Sequence, residues 1–300
     1  MARVPVDEAR AGSRVDQLVA GARPGLGVAG ARRLLEAGAV RLDGRVARKG
    51  ARVAAGQTLE IDDAAWAGPV TRIEPDDALA VTWLHVDEAL VAIDKPAGVP
   101  SHPLRAGERG TAANAIVARF PECAEASIDP REGGLGHRLD NETSGVLLAA
   151  RGREAWERLR AALRAEACVK TYLAEVAGAP PERGVETAAI GRAGRRGGRV
   201  RVGGGRAPQD ARTEWEVVER RSSTTLVRAR LHAGRAHQVR AHLAAAGFPI
   251  VGDALYGDAA TRAAAPRLHL HAHTIAFAHP VTGAAVLIEA PPPAWAIIGA

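Results

Sequence analysis

The stretch Gly136-His137-Arg138-Leu139-Asp140-Asn141-Glu142-Thr143-Ser144-Gly145 runs directly into Val146-Leu147-Leu148-Ala149-Ala150. A polar turn bounded by glycines followed by an unbroken apolar run reads as a loop feeding a buried strand. A carboxylate at such a junction is fixed by a rigid sheet and still faces solvent or substrate. Two readings of Asp140 follow. It caps a turn, as Asp-Asn often does, or it is an acid that attacks something bound to a polyanion, with His137 and Arg138 supplying a basic local field.

Charge favours an anionic partner. The chain of 300 residues carries a formal charge of +6 and has a pI of about 10.1. No lipid-anchor motif is visible, so nucleic acid ranks ahead of membrane as that partner. The abundance of Ala, Gly and Arg offers the plainer alternative of a generally basic composition. The chain is 47% hydrophobic but only 3% aromatic, so Ala, Val and Leu must fill its core. Cys123 and Cys168 are the only cysteines and neither lies in a Cys-x-x-Cys pair, which argues against a structural disulfide or a thiolate zinc site. With no apolar signal core after Met1 and no run long enough to span a bilayer, a reducing, cytoplasmic setting is expected.

Periodicity divides the chain. Residues 12–62 form a small unit: a helix from Arg14 to Val19, a second from Val28 to Ala37 stopped by Gly38, then short strands around the Asp43-Gly44 hairpin signal and Gly56. Arg32, Arg33, Arg41, Arg45, Arg48 and Lys49 concentrate here, as a binding face or a solvated one. Residues 63–80 read as a linker punctuated by Gly68-Pro69 and Pro75. Residues 81–293 form a larger domain. In it, Val81–Val86 and Ala89–Asp94 make a hairpin, Thr111 caps a helix, and Arg153–Ala165 is a helix with Trp156, Leu159 and Leu163 on one stripe. Val169–Val176, Thr213–Val218, Thr225–Leu231, Leu268–Phe277 and Ala285–Glu289 are strands. A helix opens at Gly234-Arg235-Ala236-His237-Gln238-Val239-Arg240 and ends near Gly247. Residues 191–212, with Arg195, Arg196, Arg199, Arg201 and Arg206 and no apolar face, read either as a flexible basic hairpin that gains order on a polyanion or as a disordered surface loop.

Several chemistries are excluded. There is no Gly-x-Ser-x-Gly elbow and no Walker loop. His269, His271 and His273 alternate along a strand, but no acid has the local spacing of a metal partner.

Ser13-Arg14-Val15-Asp16, Ala31-Arg32-Arg33-Leu34-Leu35 and Gly38 to Gly44 occur in the order found in the S-four domain, a small RNA-binding module, which the first unit resembles. Over nearly its whole length the chain resembles RluA-type RNA pseudouridine synthases. His137-Arg138-Leu139-Asp140 with Thr143-Ser144-Gly145 matches the central motif of that family. Asp94-Lys95-Pro96-Ala97-Gly98 matches its upstream loop, and Lys170-Thr171-Tyr172-Leu173 its tyrosine motif. Gly234-Arg235 with His237 to Arg240, Gly252-Asp253 with Tyr256-Gly257, and Leu270-His271-Ala272 with His279-Pro280 complete the set.

The resemblance implies an α+β fold: a mixed, largely antiparallel sheet with flanking helices and a central cleft. It implies an isomerase that converts uridine in RNA to pseudouridine with no cofactor and no metal. Asp140 is then the nucleophile, Arg240 its ion-pairing partner, and Tyr172 the ring stacked on uracil. Arg138 either fills the place vacated by the flipped base or holds a phosphate. His137, Arg32, Arg33 and Arg235 are further RNA-binding candidates. Whether Asp140 attacks C1′ or takes the C2′ proton stays open. Large-subunit ribosomal RNA is the first substrate expected, transfer RNA the second, and the protein is expected to act as a monomer. The alternatives are a non-catalytic RNA-binding or ribosome-assembly factor on the same fold, and a glycosidase, for which no second carboxylate pairs clearly with Asp140. Asn141-Glu142, Ala233 and Ala236 depart from the usual pattern, and a lost hydroxyl beside the arginine helix removes a hydrogen bond worth about 1 kcal/mol.

Overall fold

The computed structural model describes residues 2–22, 26–48, 50–62, 73–105, 107–194, 198–231 and 234–299. Lys49, Arg195, Arg196, Ala233 and most of the expected linker lie outside them. The chain separates into two compact units, residues 1–71 and 72–300. Among the described residues no helix is long and apolar enough to cross a membrane.

The first unit runs β1 (Ala2–Pro5), α1 (Val15–Ala22), α2 (Gly27–Glu36), β2 (Val40–Leu42), β3 (Arg45–Val46) and β4 (Thr58–Ile61). Its sheet has the order β1-β4-β2-β3. Strand β1 lies before residue 12, where the sequence reading began the unit, and it pairs with β4 from Ala2 opposite Ile61 to Pro5 opposite Thr58. Helix α2 stops as expected: Gly38 takes a φ of 71°, and the amides of Gly38 and Ala39 return to the carbonyls of Leu35 and Leu34. Asp43 and Gly44 both adopt positive φ, the conformation of a two-residue hairpin turn. Val15, Val19, Leu34, Leu35, Val40, Leu59 and Ile61 close the core. Among the described residues of this unit one charge is buried. Asp16, fully inaccessible, receives Arg14 at 2.8 Å and Arg32 at 2.9 Å. The hydrogen bond from Arg14 and that from Arg32 outweigh burial and hold its carboxyl down at about 2.

The second unit continues with β5 (Thr82–Val86), β6 (Leu90–Lys95), α3 (Ala112–Arg119), β7 (Ser144–Ala150), α4 (Arg153–Ala162), β8 (Val169–Ala177) and β9 (Arg183–Glu186). Then follow β10 (Ile190–Arg192), β11 (Val200–Val202), β12 (Arg206–Gln209), β13 (Thr213–Arg220), β14 (Thr224–Leu231), α5 (Gln238–Ala245), α6 (Ala259–Ala263), β15 (Leu270–Ala278) and β16 (Ala285–Glu289). The large sheet has the order β5-β6-β7-β15-β8-β14-β13-β9, with β16 also on β15. Its only parallel pair joins β7 to β15, where His271 faces Ser144 and Ala272 faces Gly145. Only glycine fits there: Gly145 has a φ of 110°, and a Cβ on it would strike the Ala272 carbonyl. The expected α+β architecture, mixed and mostly antiparallel, is the one found.

Both faces of β7 are covered, which explains its unbroken apolar run. Leu147 and Ala149 pack with Ile116 and Val117 of α3, while Val146, Leu148 and Ala150 pack with Trp156 and Leu159 of α4. Helix α3 begins with a capping box: the Thr111 amide donates to Asn114 Oδ1 at 3.1 Å and the Asn114 amide to Thr111 Oγ1 at 3.4 Å. Helix α5 lies over β13 and β14, with Val239 and Leu243 against Trp215, Ala229 and Leu231.

Two expectations about this unit are corrected. Helix α5 starts at Gln238, because His237 adopts a left-handed φ of 54° that a helix cannot contain. The described residues of the Gly/Arg segment form a three-stranded sheet, β11-β10-β12, and not a simple hairpin. Its glycines allow strands to approach closely where side chains would not fit. A Cβ on Gly191 would strike the Gly204 carbonyl, and one on Gly205 would lie 2.8 Å from the Arg192 carbonyl.

Candidate active site

Asp140 sits in the turn that enters β7, and its position is set by backbone contacts on either side. Ser101 Oγ accepts from the Leu139 amide at 3.0 Å and donates to the Leu139 carbonyl at 2.7 Å. The Thr143 amide returns to the Asp140 carbonyl at 3.1 Å. Beyond it, the Asn141 carbonyl accepts from the Gly98 amide at 2.8 Å and from Lys95 Nζ at 3.0 Å. Lys95 is fully inaccessible and also donates to the carbonyls of Pro96 at 2.8 Å and Val99 at 2.7 Å. Burial pushes its ammonium down to about 8, against the pull of Glu142, Asp140 and Asp94. The upstream loop of the sequence is thus stapled to the turn that carries Asp140.

One oxygen of Asp140 is committed. Arg240 Nη1 donates to Oδ2 at 2.7 Å. The other two donors of the guanidinium go to Asp253, Nε to Oδ2 at 2.9 Å and Nη2 to Oδ1 at 2.8 Å. Asp253 has no exposed surface, and its Oδ1 also accepts from the amides of Leu255 and Tyr256. Burial pulls the Arg240 guanidinium down, but its bonds to Asp253 and Asp140 more than offset that and raise it. Asp253 is moved the other way: burial raises it, and Arg240 then brings it below the usual carboxylate range. Asp140 itself keeps a quarter of its side chain exposed. A fixed cation therefore holds one oxygen of a carboxylate that stays partly exposed.

The inner side of α5 holds this geometry with polar contacts. Gln238 Nε2 donates to the Arg212 carbonyl at 2.9 Å, and buried His242 bridges Thr213 Oγ1 at 2.9 Å and the Ala188 carbonyl at 3.0 Å. Each buried polar group of the helix has a partner, as a precise site requires.

Tyr172 lies on β8 opposite Ala229 of β14 and Ala272 of β15. Burial first, and the Asp140 charge second, push its phenol well above its usual value, so the ring keeps its proton. Asp140, Tyr172 and Arg240, far apart in sequence, are thus brought to one place.

Three residues not singled out in the sequence join them. His237 Nε2 lies 3.8 Å from Asp140 Oδ1, the oxygen Arg240 leaves free. Its Nδ1 is 3.0 Å from the Tyr256 hydroxyl, and Asp253 orients Arg240 as described. All three stood inside quoted motifs, so position in a motif was their only signal. Lys170 is a fourth nearby group: burial lowers its ammonium, and a Cβ on Gly234 would lie 3.3 Å from its Nζ.

The RNA-binding candidates divide. Arg138 is exposed, with Nη1 3.2 Å from His102 Nε2. Arg33 is exposed as well. Arg32 is committed to Asp16, and Arg235 Nε donates to the Asp210 carbonyl at 3.0 Å. His137 turns toward β7: its Nε2 accepts from the Leu148 amide at 3.3 Å, and burial, then Lys170, hold it down at about 3. The three strand histidines are engaged with protein partners: His269 binds Glu175 at 2.7 Å, His271 meets Ser144 at 2.8 Å, and His273 meets the Ala290 carbonyl at 2.9 Å, which His271 also approaches at 3.5 Å.

Comparison with known proteins adds the following. Residues 89–245 match the family model described as RNA pseudouridylate synthase. The ribosomal large subunit pseudouridine synthase D of Xanthomonas campestris pv. campestris is 34% identical, across 96% of this chain and 88% of its own length. An uncharacterized RNA pseudouridine synthase of Chloroflexus aurantiacus is 35% identical, across 97% of this chain and 90% of its own. Among solved structures, human RNA pseudouridylate synthase domain containing 1 superposes with a TM-score of 0.59 at 25% identity, covering 73% of this chain and 86% of the human one.

Proposed function

We propose, for a chain that belongs to the RNA pseudouridylate synthase family and is thereby an RNA pseudouridine synthase, that Asp140 is its nucleophile and large-subunit ribosomal RNA its substrate. The observation that carries the first part is the ion pair between Asp140 Oδ2 and Arg240 at 2.7 Å, which leaves Oδ1 free of the guanidinium on a side chain that is a quarter exposed.

Isomerisation breaks the bond from ribose C1′ to uracil N1 and makes one to C5. The target uridine leaves its stack to enter the cleft. Positive character builds at C1′ as the N1 bond lengthens, and its electron pair departs with the base. Asp140 Oδ1 meets that centre as in a glycosidase, either by bonding to C1′ or by taking the C2′ proton. The base turns within the site and C5 bonds to C1′, which releases the carboxylate on the first route and is accompanied by return of the proton from Asp140 to C2′ on the second; the C5 proton then leaves while N1 gains one. Tyr172 is the platform on which the ring turns, and a protonated phenol at the sheet surface suits that role. Arg240 holds Oδ2 in place throughout, so little reorganisation accompanies the charge change. Arg138 acts at the rim, on the backbone or in the vacated stack.

The substrate assignment rests on relatives named for the large ribosomal subunit and on the first unit. There an α1-α2-β2-β3 order resembling the S-four domain carries exposed Arg33, Arg41, Arg45 and Arg48. The test is pseudouridine mapping in RNA from a deletion strain complemented with wild type or Asp140→Asn. Sites in large-subunit RNA that vanish on deletion and return only with wild type are expected. Full restoration by Asp140→Asn would remove Asp140 from the chemistry and leave a binding factor.

A further inference from the structure

One phenol connects the Gly/Arg sheet to the catalytic carboxylate. The Val200 amide on β11 donates to the Tyr256 hydroxyl at 2.9 Å. That hydroxyl is 3.0 Å from His237 Nδ1, and His237 Nε2 is 3.8 Å from Asp140 Oδ1. The Tyr256 ring is also shared: the Arg199 guanidinium lies over it at 5.2 Å, that of Arg240 at 5.4 Å, and the His237 ring meets it edge-on at 5.8 Å.

The Tyr256 oxygen accepts from Val200 and keeps its proton and a second lone pair, so it can pair with either tautomer of His237. When Tyr256 donates, Nδ1 accepts and the His237 proton sits at Nε2, on the side of the one Asp140 oxygen that Arg240 does not hold. The left-handed backbone at His237 aims the ring into this gap, a conformation that non-glycine residues seldom adopt and that clusters at functional sites.

The other end of the connection is built to meet a polyanion. Arg192, Arg199, Arg201 and Arg206 are all exposed on the three-stranded sheet. Phosphates bound by such arginines would hold the sheet in place, and with it the Val200 amide.

We propose that Tyr256 and His237 are positioning residues that couple docking of the arginine-bearing sheet to the Asp140 carboxylate, so that RNA held on the sheet readies the nucleophile. The inference rests on the reading that Asp140 reacts. RNA seated on the sheet fixes Tyr256, Tyr256 fixes the orientation of His237, and His237 sets the field at the reacting oxygen. A uridine without flanking backbone on the sheet then meets a less ordered carboxylate.

The test is a double-mutant cycle between two distant positions. Tyr256→Phe removes the hydroxyl and keeps the ring. Gly191→Val disrupts the small sheet through the clash with Gly204 and lies outside the catalytic contacts. Single-turnover rates are measured at saturating RNA, using large-subunit ribosomal RNA extracted from a deletion strain. Trypsin cleavage after Arg199 and Arg201 is followed in parallel, without RNA. Each single variant is expected to slow turnover about tenfold, within the usual range of coupling between sites. The double variant is expected to be no slower than the slower single. Both variants are expected to be cleaved faster, whereas His237→Gln slows turnover and leaves cleavage at the wild-type rate.

Losses that multiply in the double variant overturn the coupling. So does unchanged cleavage in Tyr256→Phe, which reads docking without any turnover. Wild-type protein that makes no pseudouridine overturns the activity reading itself, and the coupling falls with it.

Discussion

Arg240 holds Asp140 with one nitrogen at 2.7 Å and gives its other two donors to Asp253 at 2.9 and 2.8 Å. The proposed nucleophile is therefore aimed through the guanidinium by a second, buried carboxylate. A planar fork can serve both acids at once, and a single ammonium cannot. Arg240→Lys is accordingly expected to cut single-turnover rate about 100-fold while RNA affinity changes less than about threefold, since phosphate contacts dominate binding. Asp253→Asn keeps the shape but loses the buried charge, and a fall of about tenfold with a lower melting temperature is expected. Rate, filter binding and thermal melts on the two variants check both. A Lys variant as fast as wild type would show that the fork is dispensable.

Lys95 makes a second prediction. It donates to the carbonyls of Pro96, Val99 and Asn141 from a site with no exposed surface. Lys95→Met fills the space and leaves buried acceptors short of a donor, each costing about 1–3 kcal/mol. Asn141 keeps the Gly98 amide, so the whole penalty falls mainly on the upstream loop. A stability loss of at least about 2 kcal/mol in urea titration is expected, with slower turnover because the turn bearing Asp140 loosens.

Acid stability depends on Glu175. Burial raises this carboxyl, but His269, Thr224 and Arg221 outweigh it and hold it at about 2, below an ordinary 4.5. A carboxyl lowered by folding stabilises the protein above its unfolded value and loses that contribution as pH falls toward the folded one. The window is therefore about pH 5 to 2, with at most about 3 kcal/mol at stake. Arg221 also binds the carbonyl of Trp295, whose ring stacks on His269 at 4.8 Å. Glu175→Gln is expected to lower the melting temperature at pH 7 and to flatten its decline below pH 5. An unchanged acid limb would assign that decline to other carboxylates.

Much of this was legible in the sequence, for identifiable reasons. The five apolar residues after Gly145 read as a buried strand because both faces of β7 are covered. The stop at Gly38 and the turn at Asp43-Gly44 were legible because they depend on local backbone alone. What escaped notice depends on distant partners. Strand β1 is four residues ending in proline and exists through its pairing with β4. The Gly/Arg segment has the composition of a disordered loop, and its order comes from glycine-to-backbone approach and from Tyr256. His137 adjoins Arg138 and shared its assignment, yet consecutive residues point opposite ways, and only the chain fold turns one inward. Asp140, Tyr172 and Arg240 lie in motifs that the sequence displays, while the link through His237 and Tyr256 exists only once α5 and the Gly252–Gly257 loop meet in the fold.

The first unit yields a prediction that separates binding from chemistry. Arg32 is engaged with buried Asp16, whereas Arg33 and Arg45 are exposed on the same small unit. If that unit tracks RNA phosphates, each exposed arginine that meets one contributes to the salt dependence of binding. Arg33→Ala and Arg45→Ala are each expected to weaken RNA binding at 100 mM salt severalfold and to reduce the log–log salt slope by about 1. Single-turnover rate at saturating RNA should stay at the wild-type value, because neither residue lies in the unit that carries Asp140. Arg32→Ala should behave differently: it strips a partner from a carboxylate that has no exposed surface, so it should destabilise the unit as well as weaken binding. A titration of RNA affinity against salt for the three variants, beside their melting curves, resolves the two effects. An unchanged slope in both Arg33→Ala and Arg45→Ala would make this arginine face a solvated surface and remove the first unit from RNA recognition.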